Sequence, residues 1–171
     1  NQLQKKAILV VSFGTSYENT RKLTIEAIEH DIADAFPACP TYRAWTSKMI
    51  IAKLKKRDGL TIHTVKEALE QMLLDGITDV IVQPTHVING IENDQIESRC
   101  AFFFVTVFPE LFFGNPLLTT EEDNQAIVRV VADEFRDMDP DTALVLMGHG
   151  TEHYANTVYA ALDYRFKDTG H

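Results

Sequence analysis

The sequence predicts an α/β fold, a three-layer αβα lobe with a mainly parallel sheet. Residues 7–11 form a continuous apolar run rich in β-branched residues, which is typical of a strand buried on both faces. Further runs of this kind alternate with segments of helical periodicity. At roughly 150 residues per domain, a chain of 171 residues is one domain, so we treat residues 1–171 as a single lobe.

Strands and helices alternate along the whole chain. Strands are predicted at residues 7–11, 41–46, 79–84, 111–114 and 141–147. Helices are predicted at residues 16–36, 47–57, 65–75, 92–108, 121–138 and 151–166. Two of the helix starts carry a capping-box sequence, Thr15 with Glu18 and Thr64 with Glu67, in which two side chains satisfy two free backbone N–H groups.

The segment between residues 92 and 113 combines two signals. Its six phenylalanines have high strand propensity, whereas the polar stretch at residues 92–99 is typical of a helix start. We therefore expect a helix over about residues 92–108, followed by the short strand near residue 111.

Charge and composition exclude several classes of function. With 16 basic and 25 acidic residues the formal charge is −9, which argues against a general nucleic-acid binder and against a surface held to anionic lipid. No apolar run is long enough to span a bilayer. Two cysteines, Cys39 and Cys100, exclude a disulfide framework, and we assign them no chemistry. We expect a cytoplasmic protein and leave a processed, exported form open.

Three polar or glycine-containing turns follow predicted strands, at residues 12–16, 85–92 and 148–151. In open α/β sheets, ligands bind beyond the carboxyl ends of the strands. We therefore expect these turns to meet at one edge of the sheet and to form the functional site there.

His149 is the sharpest single candidate, because it lies between two glycines at the end of a predicted strand. Small neighbours leave the imidazole accessible, and a neutral imidazole is a metal ligand or a base near neutral pH. A loop histidine that only makes a structural hydrogen bond explains the position equally well. For His153, four residues further on, a solvated place in a first helical turn is the better interpretation.

The other two turns supply further candidates. His86 and Glu92 flank a glycine turn, and a carboxylate near a histidine can share a metal or relay protons. A first-turn acid that favours the helix dipole is the alternative for Glu92. The turn after the first strand offers backbone N–H groups to an anion and lacks the glycine spacing of dinucleotide-binding and P-loop proteins. Its substrate-binding candidates are Ser12, Gly14, Thr15 and Ser16.

Six of the 16 basic residues lie between positions 43 and 57. Arg43 and Lys48 lie near the end of a predicted strand, so we take them as anchors for a polyanionic small molecule. A solvated helix face is the better interpretation of Lys53, Lys55 and Lys56.

Four sequence blocks, in order along nearly the whole chain, match one known pattern. They are residues 6–16 (KAILVVSFGTS), 43–51 (RAWTSKMII) with 57–59 (RDG), 86–92 (HVINGIE) and 147–150 (MGHG). Together these blocks resemble the anaerobic sirohydrochlorin cobaltochelatases, class II chelatases of cobalamin synthesis. Any single block would be weak, but their order makes the resemblance specific.

The resemblance implies a two-lobed chelatase fold with a cleft between pseudo-symmetric halves, which inserts Co²⁺ into the tetrapyrrole sirohydrochlorin. It implies that His149 binds the metal and accepts a proton, that Glu92 neutralises charge or passes protons to solvent, and that His86 belongs to the cleft. The carboxylate-rich rim of the substrate would then be anchored by Arg43, Lys48 and the helix N-terminus after Gly14.

Family members are longer, and the resemblance implies that their C-terminal half adds a second histidine and a glutamate to the metal site. We therefore expect this chain to correspond to the N-terminal lobe. Two functions stay open: a chelatase, and a non-catalytic module that binds a metal or a tetrapyrrole on the same fold. Imidazole also suits Ni²⁺, Fe²⁺ and Zn²⁺, and an exposed cleft face makes a homo-oligomer an expectation.

Overall fold

The fold is built on a four-stranded sheet in which all strands run parallel. The computed structural model describes residues 3–104 and 107–169, with the backbone only for residues 102–104. The strands are β1 (Lys6–Ser12), β2 (Thr41–Trp45), β3 (Asp79–Pro84) and β4 (Glu110–Phe113). Their order in the sheet is β2-β1-β3-β4, so the predicted α/β class with a parallel sheet is confirmed.

Helices connect these strands. Those within the described residues are α1 (Glu18–Leu23), α2 (Ile25–Ala35), α3 (Lys48–Asp58), α4 (Val65–Leu74), α5 (Ile91–Phe104), α6 (Glu121–Glu134) and α7 (Thr157–Asp168), with a short 3-10 turn at Tyr154–Asn156. None of the described helices has the length and apolar character of a membrane span.

Central strand β1 organises the core. Each residue from 7 to 12 is at most 4% exposed, because both faces of the strand are covered. On one face, Leu9 lies in a cluster with Leu69 of α4 and Ile96 of α5. On the other face, Trp45 packs with residues of α2 and α3. Burying each large apolar side chain contributes about 1.5–3 kcal/mol, so this three-layer packing is the main source of stability.

The two predicted capping boxes have different outcomes. At the start of α4, Thr64 Oγ1 accepts from the Glu67 N–H at 3.3 Å, and Glu67 Oε2 accepts from the Thr64 N–H at 2.8 Å, as predicted. The prediction of a capping box at Thr15 and Glu18 is wrong. Tyr17 occupies the N-cap position without a side-chain cap, and the Glu18 carboxylate accepts from Lys22 Nζ at 2.7 Å instead.

One predicted helix is divided and two end early. The helix expected over residues 16–36 breaks at Thr24, whose hydroxyl donates to the Thr20 carbonyl at 2.6 Å, a contact that bends helices. Helix α6 ends at Glu134 rather than near residue 138. Of the helix expected over residues 92–108, residues 105 and 106 lie outside the described residues, and residues 107 and 108 are not helical.

The strand predicted at residues 141–147 is wrong. Residues 143–149 are irregular and pair with no strand among the residues that the structure describes. Their apolar side chains are exposed, from 38% for Leu144 to 94% for Met147. The apolar run has the composition of a buried strand, but a strand forms only beside another strand, and this segment is paired with neither edge strand of the described sheet.

Removing the Thr64 cap should destabilise the fold. Thr64→Ala leaves a free backbone N–H at the start of α4, so the free energy of unfolding should fall by about 1 kcal/mol. Urea unfolding monitored by circular dichroism measures the change. Thr61→Ala is the matched control, because Thr61 is exposed in the same connection and should change stability by less than about 0.5 kcal/mol. Equal losses in both variants would contradict the capping role.

Tyr42 of β2 is tied to the end of α4. Its hydroxyl donates to Asp75 Oδ2 at 2.7 Å, and Asp75 is the C-cap residue of α4. Burial, reinforced by this hydrogen bond and by the charge of Asp75, raises the pKa of Tyr42 to about 12. Since the pKa is higher in the folded chain, the contact stabilises the fold fully below pH 10 and is lost as the pH rises through about 12.

Asp75→Asn should therefore lower the pKa of Tyr42 towards its ordinary value of 10.0, with the contribution of burial remaining. Tyrosinate absorbance followed from pH 9 to 13 measures this, and Tyr42→Phe identifies which transition belongs to Tyr42. The variant should also lose less stability than the parent chain between about pH 10 and 12. An unchanged Tyr42 transition would show that Asp75 does not hold the proton there.

Candidate functional site

The three turns singled out in the sequence line one cleft of about 720 Å³. Phe13 comes from the turn after β1, His86 and Glu92 come from the connection between β3 and α5, and His149 comes from the connection before α7. The first two turns follow neighbouring parallel strands, so they share one edge of the sheet. The third turn also reaches the cleft, although residues 143–147 directly before it do not form a strand.

His149 is held in a form suited to binding a cation. Its Nδ1 lies 3.0 Å from the Gly150 carbonyl oxygen, which only accepts, so Nδ1 carries the hydrogen. This tautomer leaves a lone pair on Nε2, and the side chain is exposed at the cleft. A backbone carbonyl on the second ring nitrogen is the usual way in which proteins orient a metal-binding histidine.

Tyr159 of α7 supports the turn that carries His149. A Cβ atom at position 148 would lie 2.5 Å from the Tyr159 ring, so only glycine fits there. The Gly150 N–H donates to the Tyr159 hydroxyl at 3.3 Å. Sequence analysis missed Tyr159, because it lies nine residues beyond the turn in a helix without a recognisable motif.

His86 and Glu92 form a pair inside the cleft. His86 Nε2 lies 2.8 Å from Glu92 Oε2, and their side chains are 12% and 48% exposed. His86 Nδ1 is buried without a hydrogen-bond partner in the described part of the chain. The neutral tautomer with hydrogen on Nε2 fits both nitrogens best, since it donates to Glu92 and leaves no buried N–H unpaired.

A second histidine–carboxylate pair joins the two sides of the cleft. His153 Nδ1 accepts from the Ala155 N–H at 3.1 Å, so its Nε2 carries the hydrogen and donates to Asp94 Oδ2 at 3.2 Å. The His153 side chain is 12% exposed, so the solvated position expected from the sequence is wrong. The pair ties the segment that carries His149 to the first turn of α5, two residues from Glu92.

Asn93 fixes the backbone next to Glu92. The residue is 2% exposed, and its Nδ2 donates to Asn89 Oδ1 at 2.8 Å and to Glu97 Oε1 at 3.2 Å. Buried side-chain amides bonded in this way hold a turn in one conformation. No sequence signal indicates this role, because an asparagine beside a glycine turn is ordinary loop composition.

Ser12 and Gly14, from the turn after β1, have structural neighbours of their own. Ser12 is 1% exposed, and its hydroxyl lies 2.7 Å from that of Thr85, so it joins the ends of β1 and β3. Gly14 has φ +105°, and a Cβ there would lie 2.5 Å from the Trp45 ring. These two residues shape the turn.

The rest of that turn lies against the basic side of α3. The Thr15 hydroxyl accepts from the Tyr17 N–H at 3.3 Å. Ser16 accepts twice, at its hydroxyl from Lys53 Nζ at 3.4 Å and at its carbonyl from Arg57 Nη2 at 2.8 Å. Two cations therefore lie beside Ser16, and Thr15 and Ser16 stay predicted substrate contacts.

The structure separates the two predicted anchors Arg43 and Lys48. Arg43 Nε donates to both carboxylate oxygens of Glu29, at 2.8 and 3.0 Å, and Glu26 lies 3.5 Å from its Nη2. These bonds, led by that to Glu29, raise the pKa of Arg43, whose guanidinium is already paired on the α2 side of the sheet. Lys48 borders a separate pocket beside the end of β2. Neither residue lines the cleft of His149.

Comparison with models of known protein families identifies the family of the chain that carries this cleft. Residues 6–171 match the family model described as cobalt chelatase (CbiK). The chain belongs to this cobalt chelatase family. The family resemblance carried by the four sequence blocks is therefore confirmed.

Two curated members of the cobalt chelatase family are clearly similar. A sirohydrochlorin cobaltochelatase of Salmonella typhimurium is 40% identical over 160 residues, covering 94% of this chain and 60% of that protein. The sirohydrochlorin cobaltochelatase CbiKC of Nitratidesulfovibrio vulgaris is 31% identical over 166 residues, covering 94% of this chain and 57% of that protein. The chain thus spans rather less than two thirds of the length of these relatives.

Removing the Asp94 carboxylate should loosen the turn that carries His149. Asp94→Ala leaves the His153 Nε2–H without its acceptor, so amide hydrogen exchange at residues 148–157 should accelerate several-fold, as expected for one net hydrogen bond. Asp94→Asn is the matched control, because it retains an acceptor oxygen and should stay closer to the parent chain. Unchanged exchange at residues 148–157 in Asp94→Ala would contradict the tie, while exchange in β1 should not change in either variant.

Proposed function

We propose that this chain carries the active-site cleft of a sirohydrochlorin cobaltochelatase, in which His149 binds Co²⁺ during its insertion into the tetrapyrrole. The observation that carries the proposal is the meeting of His149 with the pair of His86 and Glu92 in one cleft. Membership of the cobalt chelatase family and the names of the two relatives supply the reaction.

Binding of the cation falls to His149. Its Nε2 lone pair is available because Nδ1–H donates to the Gly150 carbonyl. No group of three or more His, Cys, Asp or Glu side chains is arranged around a metal position within residues 3–104 and 107–169. A single imidazole holds the cation loosely enough to hand it to the macrocycle, since each pyrrole nitrogen that binds replaces a ligand of the departing ion.

Insertion must also dispose of two protons. Co²⁺ enters as the macrocycle loses two pyrrole N–H protons, so the net charge of the complex is unchanged. Once the cation has passed to the macrocycle, the freed Nε2 of His149 accepts one proton. The second goes to Glu92, whose Oε1 is free of the bond that Oε2 accepts from His86, and the half-exposed side chain passes it to solvent.

Cobalt is the metal that the comparisons favour. The family and both relatives carry cobalt in their names, whereas Ni²⁺, Fe²⁺ and Zn²⁺, which the sequence left open, have no support from them. The cytoplasmic location, the homo-oligomer and the substrate contacts of the turn after β1 stay predictions.

His149→Ala should abolish cobalt insertion and leave the fold intact. The side chain is exposed and makes one local hydrogen bond, so circular dichroism and the unfolding midpoint should not change. The rate at which sirohydrochlorin absorbance converts in the presence of Co²⁺ should fall at least ~100-fold relative to the parent chain, the scale of a lost catalytic group. His30→Ala is the matched control, because His30 is a 76% exposed histidine on α2 outside the cleft.

Each outcome separates the two functions that the sequence left open. Conversion accelerated by the parent chain and lost in His149→Ala supports the chelatase. A shift of the sirohydrochlorin spectrum without faster conversion supports the non-catalytic binding module for this chain by itself. Equal conversion by His149→Ala and the parent chain would overturn the role of His149.

A further inference from the structure

A second pocket, of about 830 Å³, lies beside the end of β2 and has no part in the cleft chemistry. Trp45, the last residue of β2, and Thr46 after it border the pocket, together with the first turns of α4 and with Arg99 of α5. Lys48, the first residue of α3, lies at its margin. We propose that this pocket binds peripheral carboxylates of the tetrapyrrole, an inference that rests on the function proposed above.

The charged side chains at this pocket that lack a partner are positive. Of the two carboxylates that line it, Glu67 is bound in the capping box of α4 and Glu70 is paired with Lys66 at 3.7 Å. The side chains of Arg99 and Lys48 have no hydrogen-bond or ion-pair partner among the residues that the structure describes. In a chain with a formal charge of −9, two unpaired cations at one pocket favour an anionic ligand, and a guanidinium matches a carboxylate with two parallel bonds.

Two residues that border the pocket carry buried polar atoms without a hydrogen-bond partner among the described residues. Trp45 is 0% exposed, and its indole Nε1 has no hydrogen-bond partner among the described residues. The buried hydroxyl of Thr46 is in the same situation. Leaving a buried donor unpaired is costly, but both atoms are closed off from solvent, so the charged side chains and not these donors define the ligand.

A shallow depression along α5 shares lining residues with both this pocket and the cleft. Ile91 and Gln95 line both the cleft and a depression of about 300 Å³, and Arg99 lines both that depression and the pocket. These three positions are four residues apart, so they form one ridge of the helix. From Glu92 to Arg99 the helix advances about 10 Å, which is of the order of the radius of a tetrapyrrole with its carboxylate arms.

The geometry therefore places the centre of the macrocycle near His149 and Glu92 while a carboxylate arm reaches Arg99. Arg99 and Lys48 supply the positive charge that would hold it. The ligand class follows from this arrangement: a macrocycle with several carboxylates around its rim gains contacts that one with few carboxylates does not.

Trp45 is the chain's lone tryptophan, so its fluorescence reports on the pocket directly. The first probe is 1,2,3,4-butanetetracarboxylate. It is colourless, and because it is not a macrocycle it tests carboxylate binding separately from metal insertion. Titration should change the emission of Trp45 saturably, and Arg99→Gln should raise the dissociation constant at least ~10-fold, as expected for a lost charge-assisted bond. Lys56→Gln is the matched control, because it removes a charge from the exposed face of α3 outside the pocket.

The second probe pair compares an octacarboxylate porphyrin, uroporphyrin, with a dicarboxylate porphyrin, deuteroporphyrin, through their quenching of Trp45. The parent chain and His149→Ala should both prefer the octacarboxylate at least ~10-fold, and Arg99→Gln should lose that preference. This preference is measured without cobalt insertion, so failure of the chelatase proposal can be distinguished from failure of the carboxylate pocket. An undiminished preference in Arg99→Gln overturns the pocket, and tetracarboxylate binding without any preference between the porphyrins overturns its assignment to the tetrapyrrole.

Discussion

The parallel pairing of β1 between β2 and β3 is the constraint on which the rest of the molecule depends. Its register sets Ser12 against Trp45 and Val11 against Pro84, so the three strands end at one level. The turns after β1 and β3 consequently leave the sheet side by side, and the bond between the hydroxyls of Ser12 and Thr85 joins them at that point. The cleft lies beyond this edge, where open parallel sheets bind their ligands, and the second pocket lies beside the end of β2.

Local signals made much of the fold predictable. The apolar run of β1 and the Thr64 box identify their elements because a few neighbouring residues decide them. Where the outcome depends on distant neighbours, prediction failed. Residues 141–147 have the composition of a strand but pair with no strand among the described residues. Tyr17 rather than Thr15 precedes α1, and the Thr15 hydroxyl accepts from the Tyr17 N–H within the turn instead.

The residues of the cleft also divide into those that the sequence predicts and those that it does not. His86, Glu92 and His149 stand out in the sequence, because loop position and residue chemistry already single them out, and the structure brings all three to one cleft. Their supports do not stand out. Asp94 and His153 are 59 residues apart in the chain, and the sequence around either residue does not indicate that the two are in contact. Arg43 looked like a free anchor for the same reason, since the carboxylate of Glu29 that occupies it lies on a different element.

The long separation between the two sides of the cleft implies an order of assembly. The last strand of the described sheet ends at Phe113, whereas His149 reaches the cleft through a segment held by residues beyond position 150. Closing a chain over such distances costs entropy that is recovered only when the final contacts form. We therefore expect the scaffold to order first during folding, and the turn that carries His149 to order last among the parts of this chain.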